Sequence, residues 1–182
     1  MPAGSVAPAM GVVDAAGCRS EVDADSVGHE AVTQAPNNDL VRRLPGDPEL
    51  AIEISEGIEH WRAGEITLTV EGTGAVEVRH RRAGEERRYA GTLSPDELER
   101  FAGRLAELGY ENLATIERDQ QRDELTVTLS IRRGGEELHR AEIPSGERDD
   151  DPRLAGVMAE YESLVDRVTE HDLPYGPAAA PR

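Results

Sequence analysis

The sequence predicts an α+β fold: a mainly antiparallel sheet of four to six strands with two helices packed on one face. Three observations carry that prediction. Residues 65–90 and 125–143 alternate apolar and polar side chains with the period of half-buried strands. Each run is followed by a segment with one apolar stripe at helical spacing, giving the order meander, helix, hairpin, helix. Glycines suited to tight turns separate the strand-like runs. A sheet or helix that is apolar on one side only cannot bury that side alone, so each must cover the other.

The first 48 residues are rich in Ala, Gly, Val, Asp and Pro without periodicity, and read as a disordered leader closed by Pro45-Gly46-Asp47-Pro48. The expected domain spans residues 49–171, and a Pro/Ala-rich tail follows over 172–182. Ile52, Ile54 and Ile58 are compatible with a first strand or a helical turn. Ile66, Leu68 and Val70 alternate with threonines, and Gly72-Thr73-Gly74 turns the chain into Val76, Val78 and His80. A loop at Ala83-Gly84 leads to a short strand over 87–90, completing a three-stranded meander.

Ser94-Pro95-Asp96-Glu97 opens the first helix: Ser94 as N-cap, Pro95 at the first helical position, and Glu97 closing a capping box. Leu98, Phe101, Leu105 and Leu108 share one face, and Gly109 suits the left-handed residue that ends the helix. Leu125, Val127, Leu129 and Ile131 form the next strand, and Gly134-Gly135 turns it back through Leu138 to Ile143. Leu138 and Ile143 are out of phase by one residue, which predicts a bulge or an exposed end. Asp151 caps the second helix with Pro152 at its first position, and its stripe runs from Leu154 to Val168.

Composition excludes several function classes. The 182-residue chain carries a formal net charge of −17, and every basic residue is arginine. Such a charge repels phosphate backbones, so nucleic acid is not an expected partner. A single cysteine, Cys18, excludes an internal disulfide and a cysteine-based zinc site. No run approaches the roughly 20 apolar residues of a transmembrane helix. The expected location is cytoplasmic. Ala15-Ala16-Gly17-Cys18 offers the alternative of an exported lipoprotein, although the basic start and leucine-rich core of such signals are missing.

No nucleophile elbow, phosphate-cradling glycine loop or helical His-x-x-x-His pair occurs, so no catalytic, cofactor or metal site is expected. His80 and His139, both on strands, would be the centre of a small enzyme only if the sheet brought them together. The run Asp149–Asp151 lacks the spaced ligands of a calcium loop and is read as helix capping.

Arginine is the one uneven feature. Residues 76–90 carry a local charge of +2, from Arg79, Arg81, Arg82, Arg87 and Arg88 against Glu77, Glu85 and Glu86, and Arg132, Arg133 and Arg140 lie on the second hairpin. If both hairpins share one sheet, Arg79, Arg81, Arg88, Arg132 and Arg140 give its exposed face the means to grip an acidic protein partner. Cross-strand pairing with neighbouring glutamates is the plainer role for the same residues. Trp61, the only tryptophan, is either a partner anchor or a side chain packed at the core edge. A non-catalytic interaction module using the exposed sheet face is therefore the first expectation.

Leu93, Ser94, Glu97 and Leu98 at the helix start, the alternating strand Leu125–Ile131, the Gly134-Gly135 turn and the stripe from Leu154 give a layout that resembles small uncharacterised bacterial α+β domains. It is also similar to emfourin, a protein inhibitor of thermolysin-type proteases. The resemblance covers about residues 64–170 and implies, as an alternative function, inhibition of a metalloprotease. The chain departs from the emfourin pattern at Glu71-Gly72-Thr73-Gly74, where a double glycine is usual, and no inhibitory residue is carried over.

Overall fold

A computed structural model describes residues 39–57, 64–118 and 124–173. The alternating segments pair as the sequence predicts, and a strand it leaves ambiguous takes the centre. Helix α1 (Asp39–Arg43) and a 3-10 turn over Leu44–Gly46 lead into strand β1 (Leu50–Gly57). The meander follows as β2 (Glu65–Glu71), β3 (Ala75–Arg82) and β4 (Glu85–Thr92), then helix α2 (Pro95–Glu107). The second hairpin, β5 (Thr126–Arg133) and β6 (Glu136–Pro144), precedes helix α3 (Pro152–Thr169). The six strands form one sheet in the order β4-β3-β2-β1-β5-β6, every neighbouring pair antiparallel.

Register puts the apolar side chains on one face. Ile54 lies opposite Leu68 and Leu129, and Leu68 lies opposite Val78, so the core is continuous across the central four strands. Both helices cover this face. A β-carbon on Gly91, which aligns with Val76, would sit 3.0 Å from Val168, so α3 crosses the β3–β4 side. A β-carbon on Gly156 would sit 2.4 Å from Leu108, so the absence of a side chain there lets α3 approach the end of α2. Arg167 of α3 reaches Glu97 of α2 at 2.8 Å. Two buried tyrosines tie the helical layer to strand carbonyls. Tyr161 Oη donates to Ile66 O at 2.9 Å, and Tyr110 Oη, in the turn after α2, to Glu53 O at 2.9 Å.

The local signals hold in detail. Ser94 and Glu97 form the capping box, Gly109 is left-handed with φ 70°, and Asp151 caps α3. The expected bulge falls at Leu138, because Ile131 opposes His139 while Arg132 opposes Glu137. Two boundaries move. Residues 39–46, expected in the leader, are helical, and Val41 and Leu44 are fully buried. A five-residue helix is too short to display a 3.6-residue period, and so it escapes a sequence reading. At the other end Leu173 is buried and Asp172 accepts a hydrogen bond from Tyr89, so the domain runs past 171. Cys18, Ile58 and Trp61 lie outside the described residues.

Candidate interaction surface

The face opposite the helices carries a regular array of charged and hydroxyl side chains. Strand parity puts all five predicted arginines there. Arg79 and Arg81 of β3 and Arg88 of β4 sit at one side, and Arg132 of β5 and Arg140 of β6 at the other. β2 and β1 separate the two groups with Thr67, Thr69 and Ser55 on the same face. Thr67 and Ser130 are 3% and 2% exposed, held between Ser55 and Arg79 and between Glu53 and Arg140, so the middle of this face is closely filled.

Glutamates interleave with the arginines. Arg88 Nε reaches Glu86 at 2.7 Å and its Nη1 reaches Glu77 at 3.7 Å. Arg81 lies 3.9 Å from Glu65 and 3.8 Å from Glu86. Arg140 contacts Glu142 at 2.6 Å and Glu137 at 3.4 Å. The hydrogen bond from Arg88 holds the Glu86 carboxyl below its ordinary range, and the same bond raises Arg88. Neighbouring glutamates therefore engage Arg81, Arg88 and Arg140, across strands for Arg81 but along the same strand in the shortest contacts of Arg88 and Arg140. Arg79 is different. It stands directly opposite Arg88, a like charge, and its Nε is buried without an acceptor among the described residues. Arginine count and strand parity point to this face from sequence alone, whereas Arg79's unmet donor depends on which residues the register sets beside it.

The two strand histidines do not come together. His80 lies on β3 and His139 on β6, four strand spacings apart, or roughly 19 Å, so they form no pair. The sequence places both on strands but not the strands relative to each other. His139 packs at 6.3 Å from the Tyr110 ring, and desolvation pulls its pKa down, favouring the neutral imidazole. Among the described residues no three His, Cys, Asp or Glu side chains cluster as metal ligands. An open cleft between α2 and α3 holds Glu97 and Glu160, but each is engaged by an arginine of the other helix, Arg167 and Arg104. Among the described residues no helix is long and apolar enough to cross a membrane.

No protein-family model matches this sequence, and no curated protein sequence matches it. The functional reading rests on the geometry of the open face.

Proposed function

We propose that this chain is a non-catalytic protein-interaction module that offers the open face of its sheet, centred on Arg79, Arg81 and Arg88, to a carboxylate-bearing protein surface. The observation that carries this reading is Arg79: among the described residues its Nε meets no acceptor, and its cross-strand neighbour is another arginine. A buried donor left unmade costs about 1–3 kcal/mol, which a partner's carboxylate would recover once the Arg79 side chain turns out from under its neighbours. The glutamates already present do not oppose this. An exposed ion pair is worth about 0–1 kcal/mol, so Arg81 and Arg88 can exchange Glu65, Glu77 or Glu86 for an incoming acid at small cost. Meanwhile these pairs hold the guanidinium groups extended over the sheet, which lowers the ordering cost of binding.

The test is affinity capture with wild-type protein and the triple variant Arg79→Ala/Arg81→Ala/Arg88→Ala in parallel, with thermal unfolding of both. The reading expects a partner that the wild type retains and the triple variant loses, with the fold intact. Equal retention by a folded triple variant would remove the arginine face from the proposal. A thermolysin-type metalloprotease, the partner class implied by the resemblance to emfourin, is the first purified protein to assay. Stoichiometric inhibition would give the module its target.

A further inference from the structure

The two edges of the sheet are treated differently, and the difference points to a second site. The outer edge of β6 is interrupted by the Leu138 bulge and covered near its end: Glu142 N–H donates to Thr115 Oγ1 at 3.1 Å, and Ile116 N–H donates to Glu142 O at 3.1 Å. A bulge and a covering loop are two of the ways in which sheets avoid pairing with another chain. β4 has neither. It is eight residues long, unbroken in register from Thr92 to Glu85, and free of proline and bulge. The two-residue turn at Ala83-Gly84 makes Arg82–Glu85 a hydrogen-bonded pair, so Glu85, Arg87, Tyr89 and Gly91 bond to β3. The N–H and C=O groups of Glu86, Arg88, Ala90 and Thr92 then point outward, and among the described residues no backbone group meets them.

We propose that β4 pairs antiparallel with β4 of a second copy of this chain, about a two-fold axis at Tyr89. The order of side chains along the strand selects a copy of itself as the occupant. Its first half, Glu85-Glu86-Arg87-Arg88, is long and charged, and its second half, Ala90-Gly91-Thr92, is small. Antiparallel pairing about Tyr89 lays Arg88 against Ala90, Arg87 against Gly91 and Glu86 against Thr92 of the second copy. Every long side chain meets a small one, and no like charges stand directly opposite, the arrangement that destabilises paired strands. Tyr89 meets Tyr89 in a non-hydrogen-bonded pair, where side chains approach most closely. The two glutamates and two arginines of β4 cancel, which makes this edge locally neutral in a chain of net charge −17. All four outward-facing residues of each copy find partners, giving about eight backbone hydrogen bonds. The pair would extend the sheet to twelve strands and join the two open faces into one. One strand edge buries less than the roughly 1,600 Å² of a standard interface, so the dimer belongs among weak, concentration-dependent associations.

Sedimentation of the full chain from low micromolar to several hundred micromolar tests this. A shift from monomer to dimer is expected. Ala90→Pro, which removes an outward N–H without touching the β3 ladder, is expected to stay monomeric over the same range. Two cysteine variants in a Cys18→Ser background test the register whether or not the proline variant folds. Opposed residues of a non-hydrogen-bonded pair have Cα atoms about 4.5 Å apart, within disulfide range. Tyr89→Cys is therefore expected to form a covalent dimer under mild oxidation, and Arg87→Cys to remain monomeric. A chain that stays monomeric throughout, a dimer indifferent to Ala90→Pro, or cross-linking through Arg87→Cys and not Tyr89→Cys would each overturn the proposal. The double variant Arg79→Ala/Arg81→Ala changes only β3 and leaves every residue of β4 in place, so it should still dimerise, which separates this site from partner binding on the open face.

Discussion

Tyr110 shows how much of this fold depends on a single polar atom in the core. The side chain is fully buried, burial raises its pKa well above the ordinary value, and its hydroxyl lies 2.9 Å from Glu53 O and 3.2 Å from Ser130 O. Those carbonyls belong to facing residues of β1 and β5, so the hydroxyl anchors the turn after α2 to the sheet's central pair. Tyr110→Phe removes the only proton shared between them and is expected to destabilise the protein by about 1–3 kcal/mol. Denaturant titration should show a lower midpoint with an unchanged slope, and an unmoved midpoint would contradict the assigned role. The sequence offers no hint of this bond, since both partners are backbone atoms of strands distant along the chain. The arginines are the opposite case. Period-2 alternation alone assigns Arg79, Arg81, Arg88, Arg132 and Arg140 to one face, but which glutamate each meets waits on the register.

Helix α2 begins where local chemistry says it should, and its start carries a pH signature. The Ser94 backbone N–H and hydroxyl both donate to the Glu97 carboxylate at 2.8 Å, and with Arg167 they hold its pKa down to about 2. Because the folded value lies below the ordinary 4.5, the unfolded chain binds a proton first as the pH falls. The cap's contribution is complete above pH 4.5 and fades as the pH drops toward 2. Thermal unfolding of wild type and Glu97→Ala should therefore differ most near neutral pH and converge in acid, whereas a constant gap would contradict the cap. The β3–β4 turn carries a small defect that can be repaired. Ala83 has φ 51° beside Gly84 at φ 83°, and an L-residue there costs about 1–2 kcal/mol, less for asparagine. Ala83→Asn is expected to raise stability by about 0.5–1 kcal/mol, and a lower melting temperature would count against that reading. Caps, stripes, turns and the bulge are legible because neighbouring residues decide them. β1 is not, because its short run of Leu50, Ile52 and Ile54 becomes a central strand only by also pairing with β5, far along the chain.

Taken together, the six strands and the helices on one side make a molecule with a dry face and a wet one. The apolar stripes of α2 and α3 are packed into the core, α2 also against α1, and the two helices are braced by Arg167–Glu97 and Arg104–Glu160. Among the described residues, Arg79's donor on the wet face and the outward backbone groups of four β4 residues meet no partner. Architecture follows from pattern here, whereas the identity of what binds does not, because recognition chemistry spread over arginines and glutamates leaves no spacing motif. A photo-reactive residue placed at Thr69 on the open face, and separately at Glu99 on the outer surface of α2, gives the most direct trial, read as covalent adducts in cells that make the protein. Recognition through the sheet predicts adducts to a distinct protein from Thr69 and none from Glu99. Adducts from Glu99 with none from Thr69 would place recognition on the helices and contradict the proposal.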